Sequence, residues 1–449
     1  MVQTRGMERL TVGDLFDRVA LGVGEREALI FPEQRVRWGY RDTHTRVTHV
    51  AKGLMGLGVA PGDHIAVFAT NRPEWILLQL AVAKVGAVLV PIDAASGARE
   101  LAQVLKHSDA STLFLLDRAE GVSFLDVVLE CCPEIRAGRP GRLGSRQFPL
   151  LKRVAFLGES AEEPDGAVLG WTDVLRSGAG ITDHLLRRRQ EGVEATDLAS
   201  IHYTSGTTGQ PKGVELTHLN LVNNANAAGE CIRLRPRDRV CAPVPFFRPF
   251  GSIIGTLTTL GRGATLVVPA EHFDAGKTYD AIGAERCTAL HGEPRMLGSM
   301  LRHPQLLRTD LSSLRTGILA GAACPVELMP EIVERLHLRE GTVGYGQTEA
   351  TALITQTRID DGLDLRITTV GRALPDVEIT IVDPKTGTEL PRGSEGELCC
   401  RGSLVMRGYY NDPELTAATI GRNGWLRTGD LAVMDQAGYC AITGRVRRG

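Results

Sequence analysis

Residues 203–218 read YTSGTTGQPKGVELTH and concentrate hydroxyls, glycines and a lysine in one short span. Gly206, Gly209 and Gly213 permit positive φ and close backbone approach, so successive N–H groups can face an anion. Thr204, Ser205, Thr207 and Thr208 add hydroxyl donors, and Lys212 adds a mobile positive charge. Such a loop suits phosphate. It lacks the GK[ST] ending of a Walker A loop and is not a dinucleotide fingerprint. A solvated Gly/Ser/Thr turn would account for the composition but not for this length with a terminal PKG.

A second cluster, GYGQTEAT at 344–351, offers the flat ring of Tyr345 to a base, the Thr348 hydroxyl to a phosphate and the Glu349 carboxylate to Mg²⁺. A third, GWLRTGDLAVMDQAGYCAITGR at 424–445, carries Asp430 and Arg445. In this order the three motifs resemble the adenylate-forming superfamily of acyl-CoA synthetases, peptide-synthetase adenylation domains and luciferases. The pattern is most similar to the medium- and long-chain fatty-acid–CoA ligases, because CCPEIRAGRPGRLGSRQFPLLKRV at 131–154 resembles an insertion of that group.

The resemblance assigns the nucleotide to Thr204, Ser205, Gly206, Thr207, Thr208, Gly209 and Lys212, to Gly321, Ala322 and Ala323, and to Gly344, Tyr345, Gly346, Gln347 and Thr348. Asp430 is placed on both ribose hydroxyls and Arg445 on the ribose or phosphate. Mg²⁺ is implied at Glu349 and Thr204; Lys212, Thr204, Glu349 and Arg445 are the catalytic candidates. Weaker landmarks, PVPFFRPFG at 243–251, LHGEPRML at 290–297 and GILAGAACP at 317–325, give an acid pocket of Phe247, Arg248, Gly251, Gly292, Glu293, Arg295 and Gly321. Arg248 stands where the family usually has histidine, and Glu293 and Arg295 where it is normally uncharged. These charges leave two readings open: an acid with a distal polar group, or charges that pair together or face solvent.

The implied reaction is attack of an ionised carboxylate on the α-phosphate of ATP, giving an acyl-adenylate and pyrophosphate, then transfer to coenzyme A. Two rivals are an acyl-AMP ligase that loads a carrier protein and a non-catalytic nucleotide- or adenylate-binding module. The family continues past its GR pair into a further domain that brings a lysine to the reacting carboxylate. This sequence reaches Gly449 soon after Arg445, with Arg447 at the hinge position, so a large N-terminal domain with weak unaided turnover is expected.

Positioning such motifs calls for alternating strands and helices. HIAVFA, AVLVPI, STLFLL, RVAFLG, LASIHY and ATLVVP read as buried strands between helical patterns. THLNLVNNANAAGECI reads as a helix with Thr217 as N-cap. The expected class is α/β: two intertwined α/β subdomains over 1–369, with mostly parallel sheets covered by helices, then a small β-barrel-like subdomain over 370–443 and a hinge over 444–449. Residues 133–150 are expected to form an irregular surface connection. At 449 residues, two or three subdomains are the prior.

Lys plus Arg number 51 against 53 acids, a net charge of -2, which argues against a nucleic-acid surface. The most apolar stretch, 74–93, is interrupted by Lys84 and falls short of the ~20 residues of a membrane span. It reads as a buried helix followed by a strand. The N-terminus shows no signal or anchor pattern, and nine cysteines without metal spacing suit reduced thiols in a cytoplasmic enzyme. The oligomeric state stays open, a homodimer included.

Overall fold

Six short apolar runs become strands in two large sheets. A computed structural model describes residues 7–160, 166–205 and 211–446. In the eight-stranded sheet the order is Gly408–Tyr409, Pro211–Thr217, Leu198–Ser205, Val88–Ile92, His64–Phe68, Thr112–Leu115, Arg153–Phe156 and Val168–Leu169. The last six run parallel to one another. Strands of this kind are covered on both faces, and all residues of Val88–Ile92 and Thr112–Leu115 are buried.

The nine-stranded sheet is ordered Arg372–Ala373, Thr355–Gln356, Glu340–Tyr345, Thr316–Leu319, Ala289–Leu290, Arg239–Cys241, Thr265–Val267, Glu27–Phe31 and Val36–Gly39. Its middle is parallel and its outer pairs are antiparallel. Four further strands, Val377–Val382, Glu395–Gly402, Leu426–Met434 and Cys440–Arg445, form an antiparallel sheet in chain order, and Arg118–Ala119 and Val122–Ser123 form a small antiparallel pair.

Helix Pro73–Lys84 shows why the two large sheets cohere. All of its residues except Glu74 are buried, as expected of a helix that is apolar on nearly all sides. Burial of each Ile or Leu contributes about 2 kcal/mol. Lys84 is admitted because its Nζ lies 2.6 Å from both oxygens of Asp17. No helix among the described residues is long and apolar enough to cross a membrane. All nine cysteines are free. Residues 133–150 begin with a 3₁₀ turn, Pro133–Ala137, and otherwise form turns and connections.

Candidate active site

The phosphate-loop segment departs from the expected strand, loop and helix. PKGVELT is itself a strand, Pro211–Thr217, which pairs antiparallel with Leu198–Ser205 and sets Thr204 opposite Lys212 and Ser205 opposite Pro211. The physical reason is that Val214 and Leu216 can be buried on one sheet face once the chain turns back. Only then does the helix His218–Cys231 begin. Thr217 caps it, with its hydroxyl accepting from Asn220 N at 3.2 Å while Asn220 Oδ1 accepts from Thr217 N at 2.7 Å.

Gly213 does not use positive φ; it lies in this strand because a Cβ would sit 2.9 Å from Ile201 and 3.3 Å from the Tyr203 ring. Gly206, Thr207, Thr208 and Gly209 lie outside the described residues, as do Gln210, Arg447 and the rest of 447–449.

The C-terminal ends of parallel strands are where open α/β sheets place ligands. A cleft of about 600 Å³ lies there. Thr204 lines it, with Phe247, Arg248, Glu293, Gly321, Gly346, Gln347 and Thr348 from the other motifs. Gly321 turns at φ 89°, a conformation that favours glycine. Arg248 is the sole cation among the described lining residues, and its guanidinium stands 3.8 Å from the Glu293 carboxylate.

Other expected site residues, of the acid pocket and of the nucleotide site, stand back from the cleft. Gly251 and Gly292 are buried behind it, Ala322 and Ala323 are exposed in the turn after Gly321, and Arg295 is exposed on helix Pro294–Leu301. Arg295 thus stands apart from Arg248, which lines the cleft. Asp93, Ser96, Glu100 and Gln103 line the cleft without having been anticipated. Their signal was available in position: they follow the apolar strand AVLVPI, where strand ends open onto ligands.

Two hydrogen-bonded groups flank the cleft segments. Tyr345 closes the strand Glu340–Tyr345, and its phenol donates to Asp430 Oδ2 at 2.6 Å. Asp430 lies opposite Arg445 in the antiparallel ladder, and Arg445 Nε donates to Asp430 Oδ1 at 2.8 Å. Burial, and then the adjoining Asp430 carboxylate, push the Tyr345 phenol well above its ordinary pKa, so it stays a donor. Both Asp430 oxygens are thus held in place.

The second group joins Lys212 to Glu349 through a residue that had not been singled out. Lys212 Nζ lies 5.6 Å from the Tyr409 ring centroid, and the Tyr409 hydroxyl donates to Glu349 Oε1 at 2.7 Å. The backbone keeps Glu349 near this strand, since Met406 N donates to its carbonyl at 2.9 Å. Gly344 is buried in the strand before Tyr345. Next to Tyr203, His202 is fully buried, and burial holds it down at about 4 against an opposing backbone hydrogen bond with Phe247. It is neutral at pH 7 and serves the fold rather than as a base.

The sequence pattern of the AMP-binding enzyme family matches residues 16–410. The chain belongs to the AMP-binding enzyme family. Among its relatives, YngI of Bacillus subtilis (strain 168), a protein named as an acyl-CoA synthetase, is 43% identical over 97% of this chain and 79% of its own length. The mitochondrial medium-chain acyl-CoA ligase ACSF2 of Bos taurus is 35% identical over 97% of this chain and 71% of that protein. The crystal structure of ATP-bound MatB from Rhodopseudomonas palustris superposes with a TM-score of 0.79 at 26% identity, covering 97% of this chain and 79% of that one.

Proposed function

We propose that this chain activates a carboxylic acid with ATP, forming an acyl-adenylate with release of pyrophosphate, and that the acyl group then passes to coenzyme A. The observation that carries this reading is the single cleft lined by Thr204 of the hydroxyl-rich loop, Phe247 and Arg248, Gly321, and Gly346 to Thr348. A carboxylic acid is ionised at pH 7, so the nucleophile needs no base. A bond forms between a carboxylate oxygen and the α-phosphorus while the bond to the bridging oxygen of pyrophosphate breaks.

The chain's own residues would then hold and neutralise. Lys212 and Thr204, opposite each other in the hairpin, would act on the phosphates, Thr204 from the cleft wall and Lys212 from beside it. Asp430, fixed by Tyr345 and Arg445, accepts from the ribose hydroxyls. Among the described residues there is no group of three or more His, Cys, Asp or Glu to cage a metal. One carboxylate, Glu349, and one hydroxyl, Thr204, fit Mg²⁺, which takes one or two carboxylates with phosphate oxygens and water. Glu349, with the Thr204 hydroxyl, would hold it, and it would supply positive charge beside the phosphates.

For the acid, a medium- or long-chain aliphatic carboxylate is the reading with most support, from the relative named as a medium-chain acyl-CoA ligase and from the segment at 131–154. Exchange of labelled pyrophosphate into ATP, measured across short, medium and long monocarboxylic acids and matched dicarboxylic acids, tests it. Exchange that depends on medium or long monocarboxylic acids is expected. Exchange driven instead by amino acids, or equal with every acid, would overturn the assignment.

A further inference from the structure

The cleft wall formed by Phe247 to Phe250 has no regular structure of its own before residue 250, and two buried amides from elsewhere in the chain grip it at either end. Asn71 is 2% exposed. Its Nδ2 donates to the Val244 carbonyl at 2.9 Å and its Oδ1 accepts from Phe246 N at 2.9 Å, so one side chain takes both polar groups of that stretch like a strand edge. Gln79, on helix Pro73–Lys84, does the same further on. Its Nε2 donates to the Ser252 carbonyl at 2.9 Å and its Oε1 accepts from the Thr256 hydroxyl at 3.1 Å.

The second grip falls on an unusual element. Phe250–Leu257 is a π-helix, whose widened turns suit functional sites but are costly to maintain alone. Arg248 O accepts from the N–H groups of both Gly251 and Ser252 at 2.9 Å, closing the turn onto it. A Cβ at Gly251 would come within 1.9 Å of Pro245 O. Asn71 precedes helix Pro73–Lys84 and Gln79 lies within it; the helix packs against Val88–Ile92 of the eight-stranded sheet, whereas 244–257 follows strand Arg239–Cys241 of the nine-stranded sheet. The amides therefore fasten one half of the molecule to the acid-facing wall carried by the other.

We infer that Asn71 and Gln79 are positioning residues that set recognition of the acid by fixing Phe247, Arg248 and Phe250. This inference rests on the activation reaction proposed above. Neither amide lines the cleft, so each acts through the segment it holds. A buried amide left with one unmatched partner is penalised, which keeps the segment in a single register.

The test compares Gln79→Met and Asn71→Asp with Tyr279→Phe, a control that removes a buried hydrogen bond to Met300 O away from the cleft. In pyrophosphate exchange, the two amide variants are expected to raise KM for the acid about fivefold while KM for ATP moves less than about twofold. Tyr279→Phe lowers thermal stability and shifts neither KM. Gln79→Glu, neutral when protonated, is expected to regain acid affinity as pH falls from 8 to about 6.5, through a pKa raised by burial. Gln79→Met stays flat over that range. Parallel rises in both KM values, or the same split in Tyr279→Phe, would overturn the inference.

Amide hydrogen exchange of 244–257 in the unliganded variants separates this from the activation reading. Unchanged protection in both amide variants overturns the positioning role whatever the activity. Lost protection in a protein whose wild type shows no acid-dependent exchange overturns the activation reading and the specificity role with it.

Discussion

The phenol of Tyr345 donates to Oδ2 of Asp430 at 2.6 Å, joining the strand that carries the second motif to the antiparallel sheet that carries the third. Residues 85 positions apart in sequence thereby share one part-buried bond, with Arg445 on the other oxygen. Asp430→Asn keeps the shape but gives up the charge and one acceptor. It is expected to raise KM for ATP about tenfold with little change in KM for the acid. Tyr345→Phe frees one Asp430 oxygen and is expected to cost about threefold in the same constant. Steady-state exchange kinetics at varied ATP checks both.

Lys212, Tyr409 and Glu349 form a chain of contacts in which only the outer two carry charge. Lys212→Met is expected to lower kcat/KM by about a hundredfold, because charge on the phosphates is then unmatched in the transition state. Glu349→Gln raises the Mg²⁺ concentration needed for half-maximal exchange. Tyr409→Phe leaves the charges in place and loses less than about tenfold. A Mg²⁺ titration of the three variants orders them.

Arg248 is half exposed and faces Glu293 across 3.8 Å, a distance of loose pairing. Arg248→Ala is expected to change KM for monocarboxylic and matched dicarboxylic acids by the same factor. A selective loss with dicarboxylic acids would show that the guanidinium recognises a distal charge.

How much of this was legible in the sequence follows from what decides each feature. The six strands were readable because they are short apolar runs with turn residues on either side, and Thr217 as a cap needed only its own side chain and Asn220. Strand Pro211–Thr217 was hidden because its pairing is tertiary: PKGVELT has weak local preference and becomes a strand by lying between Leu198–Ser205 and Gly408–Tyr409. Arg295 looked equivalent to Glu293 in sequence. The helix beginning at Pro294 rotates it to solvent while Glu293, just before the helix, faces the cleft. Tyr409 carried no motif, since its meaning comes from the partners that meet around it.

Three fully buried histidines, His202, His218 and His291, are each held down at about 4 by burial, against an ordinary value of 6.5. Between those two pH values the unfolded chain binds protons that the folded chain refuses. Stability is therefore full above about pH 6.5 and falls as pH drops toward 4, with a slope of up to about three protons. Urea unfolding from pH 7.5 to 5 is expected to show that decline, and His291→Gln to remove about one proton from it. A flat profile would show that the rings are protonated in the fold.

The pair Lys84 and Asp17 makes a separate stability prediction. Burial raises the Asp17 carboxyl, but hydrogen bonds from His44 and the charge of Lys84 outweigh it and bring the value to about 2. Lys84→Met removes the cation and leaves the carboxylate half-buried, which is expected to cost about 3 kcal/mol. Thermal unfolding at pH 7 measures it. As pH falls through the ordinary carboxylate range toward 2, the wild-type advantage is expected to disappear, because the ion pair contributes only while Asp17 is ionised.

Binding of a non-reactive acyl-adenylate analogue, an acyl sulfamoyl adenosine, tests the central claim most directly, because it asks whether one cleft holds nucleotide and acyl group together. Calorimetry should give an affinity at least about a hundredfold tighter than for AMP or the free acid alone, rising from a short to a medium acyl chain and lost in Asp430→Asn. Affinity no better than that of AMP, and independent of the acyl chain, would contradict it.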